Sequence, residues 1–295
     1  MEQFETHGAA AADFDPALYV VATPIGNLGD VTLRALAILK GVALVAAEDT
    51  RVAAKLLGHY GIATPLIALH AHNERSASQR VLRALAAGKS VALVSDAGTP
   101  AISDPGAHVV AAARAAGNRV VPVPGASALT AALSAAGQPD SRFLFHGFLP
   151  QRAAERRRTL EALRAVPCAL VFYEAPHRIR AALADLAGTL GRDRRVVIAR
   201  ELTKLYETIH SCTLAEAVEW IAAGEHRVRG EFVLVVEGAG EKEGDSNEAH
   251  RVLEALLAEL PLKQAVALAV RITGAHRNEL YAMALELKKS KGDEK

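Results

Sequence analysis

The sequence predicts an α/β protein: two α/β domains, followed by a small C-terminal helical module. Three observations predict it. Short β-branched runs alternate with alanine- and leucine-rich stretches from residue 18 onward, glycine closes the helical stretches, and a helical spacing with breaks at Pro261 and Gly274 sets in after residue 250. In order, strand-like LYVVAT, VALVAA, SVALVSD and NRVVPVP are interleaved with helix-like DVTLRALAILKG, TRVAAKLLGHYG, QRVLRALAAGKS and GAHVVAAARAAG. This is the pattern of βα units around a mostly parallel sheet, with Gly or Gly-Lys-Ser as helix stops.

The second half begins near Phe143. There RFLFHGFLP leads into the basic helix QRAAERRRTLEALRAV, and strand-like CALVFYE, RRVVIARELT and GEFVLVVEG alternate with helix-like HRIRAALADLAGTLG and TLAEAVEWIAAG. AGEKEGDSNEAH is polar and glycine-bearing, which reads as a linker. These breaks predict a disordered tail over 1–16, domains over 17–135 and 136–240, a linker over 241–250 and a helical module over 251–295.

Composition narrows the class. Lys+Arg 34 against Asp+Glu 33 leaves no overall charge to announce a nucleic-acid partner, so local clusters must carry that case. Cys168 and Cys212 lack CxxC spacing, which argues against a disulfide framework or a cysteine zinc site and for a reducing compartment. The opening MEQFETHGAAAADFDP does not have the form of a signal peptide, and no apolar run is long enough to span a bilayer. A soluble cytoplasmic protein is expected.

Absent motifs exclude other chemistries. There is no GxGxxG after a strand, no HExxH and no GxSxG, and Gly88-Lys89-Ser90 has Arg83 where a phosphate loop needs its leading glycine. What remains are three loops at strand ends, TPIGNLGD over 23–30, SDAGTPAISDPG over 95–106 and PGASA over 124–128. Open α/β sheets bind ligands at such places. Glycine and proline beside small polar residues let the backbone approach a flat ligand, although tight turns of a compact sheet look the same one loop at a time.

Their order is more specific. TPIGNLGDVTLRAL, AAEDTRVAAKLL, SDAGTPAISDPG, PGASALTAALSAAG, FHGFLP, FYEAPHR, ARELTKLYETIH and RGEFVLVVEG, running from about residue 18 to 238, resemble the tetrapyrrole methylase superfamily. Within it the resemblance is to the branch of small-subunit (16S) rRNA cytidine 2′-O-methyltransferases, whose C-terminal extension the last helices also resemble. Ser95 stands where the superfamily usually has glycine, and Ala126 where it commonly has proline. Both are small. The resemblance implies two α/β domains of the tetrapyrrole methylase type with a ligand cleft between them, and S-adenosyl-L-methionine folded in that cleft. Pro24, Ile25, Gly26, Asp96, Ala97, Gly98, Thr99, Ser127, Ala128, Tyr173, Ala199 and Glu231 would line it. It also implies a homodimer and a substrate within the 30S subunit.

A ribose hydroxyl is a poor nucleophile, so alignment and a positioned base are both needed. Candidates are the charged residues of phrases without evident structural need: Asp30, Glu48, Asp49, Arg51, Glu174, His177, Arg178, Glu201, Lys204 and Glu207. Of these, Asp30, Asp49, Arg51, His177 and Lys204 are selected as catalytic. Asp49 with Arg51 reads equally well as a helix N-cap with a nearby cation, and His177 as a first-turn residue. For RNA, Arg152, Arg156 and Arg157 on the basic helix, with Arg178 and Arg277, fit phosphate contacts, although such runs are often solvated helix faces. No metal is expected. With 4% aromatic residues, stacking of bases is not expected either. The rival readings are a tetrapyrrole C-methyltransferase, a noncatalytic RNA-binding protein and an NTP-hydrolysing protein.

Overall fold

The computed structural model describes residues 14–70, 72–138, 141–239 and 241–292. The tail expected over 1–16 lies mostly outside them. Five parallel strands form the first sheet: β1 (Leu18–Val21), β2 (Leu44–Ala47), β3 (Leu66–Ala68), β4 (Val91–Val94) and β5 (Val120–Val123), in the order β3-β2-β4-β1-β5. Every residue of β4 is buried, as a strand covered on both faces requires. Helices α1 (Leu33–Gly41) and α2 (Thr50–His59) bury Ile38 and Leu57 against one face. Helices α3 (Glu74–Ala86) and α4 (Ala107–Ala115) bury Val81 and Val109 against the other. Pro122 is accommodated because β5 is an edge. Strand β3 was not expected, since three residues are too few to show a period.

The second sheet holds β6 (Phe143–Phe148), β7 (Ala169–Glu174), β8 (Arg195–Arg200), β9 (Thr208–Thr213) and β10 (Phe232–Val236), in the order β6-β7-β10-β8-β9. Only the β6–β7 pair is parallel. Helices α6 (Ala153–Leu163), α7 (Ile179–Leu190) and α8 (Leu214–Ala222) cover one face through Leu160, Leu183 and Ile221. Helix α5 (Ala128–Ala136) packs on the other face, against Val171, Val197, Val233 and Val235. It leaves the third loop of the first sheet and lies on the second, so the boundary expected after residue 135 falls inside it. Strand β9 is a further addition to the sequence reading.

Three helices complete the described chain: α9 (Glu241–Glu259), α10 (Leu262–Thr273) and α11 (Arg277–Gly292). They share their own core, in which Leu253, Val266 and Leu280 are buried. The expected linker over 241–250 is corrected here, because this stretch forms the first half of α9. Composition alone reads such a polar, glycine-bearing stretch as coil. Among the described residues no helix is long and apolar enough to cross a membrane.

Candidate active site

The three loops converge because backbone groups at their tips pair with one another. Thr23 and Gly98 form an isolated antiparallel bridge, with N–H to O distances of 2.8 and 3.0 Å. The Thr99 hydroxyl donates to the Ala126 carbonyl at 3.4 Å, joining the second loop to the third. Glycine is required where they touch. Gly98 has φ +76°, and a Cβ on Gly125 would stand 2.9 Å from the Ala22 Cβ. Ala101 and Ser103 hold positive φ without being glycine, so the second loop stores backbone strain. Its far end is fixed by Glu74, whose carboxylate accepts from the N–H groups of Gly106 (2.9 Å) and His108 (3.3 Å) at the start of α4.

The second sheet supplies the opposite wall. Tyr173 Oη accepts from the Leu129 N–H at 3.1 Å, tying β7 to the first turn of α5, and burial pushes its phenol up. The turn after β8 holds Glu201 and Thr203 at positive φ. Its shape is kept by Arg200, which donates to the carbonyls of Arg229, Tyr206 and His226 at 2.7, 3.2 and 2.8 Å. From this turn Lys204 reaches back to the first loop, with Nζ 2.8 Å from Glu201 and 2.9 Å from Glu231. Its stem crosses Gly26 so closely that a Cβ there would lie 2.9 Å from Lys204 Cε and 3.1 Å from the Leu202 carbonyl.

Between these walls lies a cavity of about 260 Å³. Apolar wall is given by Ile25, Ile102, Phe148, Leu202, Phe232 and Val233, and charge by Asp104, Glu174, Lys204 and Glu231. Burial raises the Asp104 carboxyl, and Asp96 nearby adds to it. Burial likewise raises Glu174, against the pull of Arg178. Lys204 is raised as well, with the opposite effect on charge: burial opposes the ammonium, but the hydrogen bonds it donates to Glu201 and Glu231 outweigh that and hold the amine protonated.

Of the residues expected to line a cofactor, Ile25, Ala97, Gly98, Thr99, Ser127, Ala128, Tyr173, Ala199 and Glu231 are in the wall. Pro24, Gly26 and Asp96 stand outside it. Asp96 accepts the Asp49 N–H at 2.9 Å and so joins the second loop to the start of α2. Of the residues selected as catalytic, only Lys204 is in the wall. Asp49 is the N-cap of α2 and pairs with Arg51 at 2.6 Å, which holds its carboxyl down at about 2. Asp30 and His177 are exposed and are not among the residues that line the cavity.

Two expected RNA contacts are corrected. Arg156 has a side chain 5% exposed and pairs with Asp185 at 2.6 Å. Arg178 pairs with the fully buried Glu174 at 3.0 Å and donates to the Leu149 carbonyl. A buried, paired guanidinium is not offered to a phosphate. Arg152, Arg157 and Arg277 are exposed. Sequence reasoning missed Ile102, Asp104, Phe148 and Leu202. Asp104 lies inside a quoted loop, and its carboxylate there was the available signal.

A family model described as Tetrapyrrole (Corrin/Porphyrin) Methylases matches residues 17–218, and one described as the RsmI C-terminal HTH domain matches 243–288. The chain is 56% identical to the Ribosomal RNA small subunit methyltransferase I of Pseudomonas aeruginosa over 91% of this chain and 96% of that protein. It is 52% identical to the protein of the same name from Escherichia coli O157:H7, over 91% and 94%. Among solved structures, a uroporphyrin-III C-methyltransferase of Thermus thermophilus complexed with S-adenosylhomocysteine shares the fold, with TM-score 0.54 and 19% identity, covering 75% of this chain and 97% of that one. A diphthine synthase does so at TM-score 0.59 and 16% identity, over 75% and 90%. The cleft between two sheets, the order of its loops and these likenesses agree: the chain belongs to the tetrapyrrole methylase family, in its ribosomal RNA small subunit methyltransferase I branch.

Proposed function

We propose that this protein is an S-adenosylmethionine-dependent methyltransferase acting on the ribose 2′-hydroxyl of a cytidine in 16S ribosomal RNA, within the small subunit. One observation carries the reading: a cavity built jointly by three strand-end loops of one sheet and by strands β6, β7, β8 and β10 of the other, with the turns beside them. It occurs in a chain 56% identical to a protein named Ribosomal RNA small subunit methyltransferase I.

The wall fits a sulfonium nucleoside. It is mostly apolar, a Cβ at Gly98 would press on Ile25 at 3.3 Å, and Asp104 and Glu231 are among its polar lining residues. The Asp104 carboxyl, raised by burial, gains its charge more readily beside a cationic sulfonium. When bound, S-adenosylmethionine supplies an electrophilic methyl group, which the hydroxyl oxygen takes with release of a neutral thioether and a proton. The protein's part is alignment, which supplies about 7–11 kcal/mol of such barriers. The Thr23–Gly98 bridge and the Tyr173–Leu129 bond hold the two walls in place. Ile25, Leu202 and Phe232 exclude water. Lys204, held as a cation, serves as an electrostatic partner for the ribose-phosphate and not as the base.

The exposed arginines of α6 support contact with the RNA backbone, and the same reading includes a cytoplasmic homodimer. Mass-spectrometric mapping of ribose methylation in small-subunit RNA from cells with and without this gene tests it. The expected result is one cytidine that loses its 2′-O-methyl group. An unchanged methylation map would overturn the reading.

A further inference from the structure

Strand β6 does not run in even register along β7. Phe145 pairs with Val171, but Gly147 pairs with Phe172 and Phe148 with Tyr173, so His146 is an extra residue in the ladder. The consequence follows from the period of two in a strand. Val171 and Tyr173 face α5 and the cavity, whereas Leu170 and Phe172 face α7 and α8. In an unbroken register Phe148 would fall on the α7 side. The bulge turns it to the cavity side, next to Tyr173, with ring centroids 5.7 Å apart and planes at 69°.

The segment is fixed from both sides. Gly147 has φ +80° and passes so near the second loop that a Cβ would stand 2.8 Å from Ser103 Oγ. Beyond Phe148, Arg178 holds the Leu149 carbonyl, while Arg156 donates to the carbonyls of Pro150 at 3.3 Å and Gln151 at 3.1 Å. The two arginines that the sequence offered as phosphate ligands therefore brace this turn. Despite the bracing, Phe148 remains 50% exposed while lining the cavity. A large apolar ring, rigidly held and still open to solvent at a cavity mouth, is suited to a planar partner. Four residues on, Arg152 is 84% exposed in its side chain at the N-cap of α6, so positive charge follows the ring.

We infer that Phe148 is the platform on which an unpaired base of the RNA substrate stacks, set in place by the β6 bulge. The inference rests on the rRNA methyltransferase reading and names the residue that holds the nucleotide. Low aromatic content is no obstacle, because one ring at the mouth suffices.

The test uses the full chain with small subunits lacking the modification. Steady-state KM for the subunit and the calorimetric Kd for S-adenosylmethionine are measured for wild type, Phe148→Leu and Phe148→Trp. Leucine keeps an apolar side chain in the cavity wall and removes the π face, so KM for the subunit should rise roughly 5- to 150-fold, the range set by one stacked base, and by a larger factor than the cofactor Kd. Tryptophan should restore KM. A leucine variant with wild-type KM, or one whose cofactor Kd rises by as large a factor, would overturn the inference. Wild-type turnover on the subunit separates the two claims: without it the methyltransferase reading falls first, and with it an indifferent leucine variant sinks only the platform. A second measurement needs no variant. RNA carrying 5-iodocytidine at the mapped position should photocrosslink to the peptide containing Phe148, and a crosslink confined to another peptide would count against the platform.

Discussion

Asp185 shows how a single side chain decides what its neighbours can do. It takes Arg156 at 2.6 Å and lies 3.9 Å from Arg157, yet only the first of these arginines is buried. Removing the carboxylate in Asp185→Ala leaves a guanidinium in the interior without its charge partner. Such a loss costs about 3–5 kcal/mol. Urea denaturation of Asp185→Ala should show that loss, and an unchanged midpoint would mean that water reaches Arg156. At this scale the sequence was partly legible. Small residues in the loops could be read because their positions demand backbone approach or positive φ, as at Gly98 and Gly125. Arginines could not, because the letter is the same whether the side chain lies in solvent or against a carboxylate. Cysteine 212 is similar: burial pushes its thiol up to about 11, a state fixed by packing and not by its neighbours in the chain.

Elements placed by a strong period were legible, and those placed by a partner were not. The four-residue strands β1, β2, β4 and β5 stood out as β-branched runs between glycine-closed helices. Strand β9, Thr208–Thr213, alternates weakly and owes its place to β8, with which it pairs over its whole length. Helix α5 was readable as alanine-rich, but nothing local says which sheet it covers. The turn after β8 is the clearest case of one element shaping another, since Lys204 crosses the first loop only because residue 26 has no side chain. Gly26→Ala forces the lysine stem aside, and overpacking of this kind costs about 1–3 kcal/mol. Chemical denaturation and calorimetry of Gly26→Ala should report a lower midpoint together with weaker binding of S-adenosylmethionine. Wild-type values for both would show that the lysine moves freely.

At the scale of the molecule, four apolar clusters sandwich two sheets, and a fifth belongs to α9, α10 and α11 alone. A core that is separate contributes little to a cavity it does not wall. Removal of residues 241–295 should therefore leave the cofactor affinity within about two-fold of the full chain, as independent sites do, while methylation of the subunit falls. Calorimetry and a methyl-transfer assay check the two halves, and a lost cofactor affinity would show that the helical module supports the cleft. By itself the sequence determined the α/β class, the strand-end loops and their small residues, because hydrophobic period and backbone freedom are local properties. Tertiary structure alone decided which charges face the cavity, which arginines are consumed in the interior and on which side of β6 Phe148 emerges. Each of these depends on a partner distant in the chain, and a one-residue slip in register exchanges the two faces of a strand.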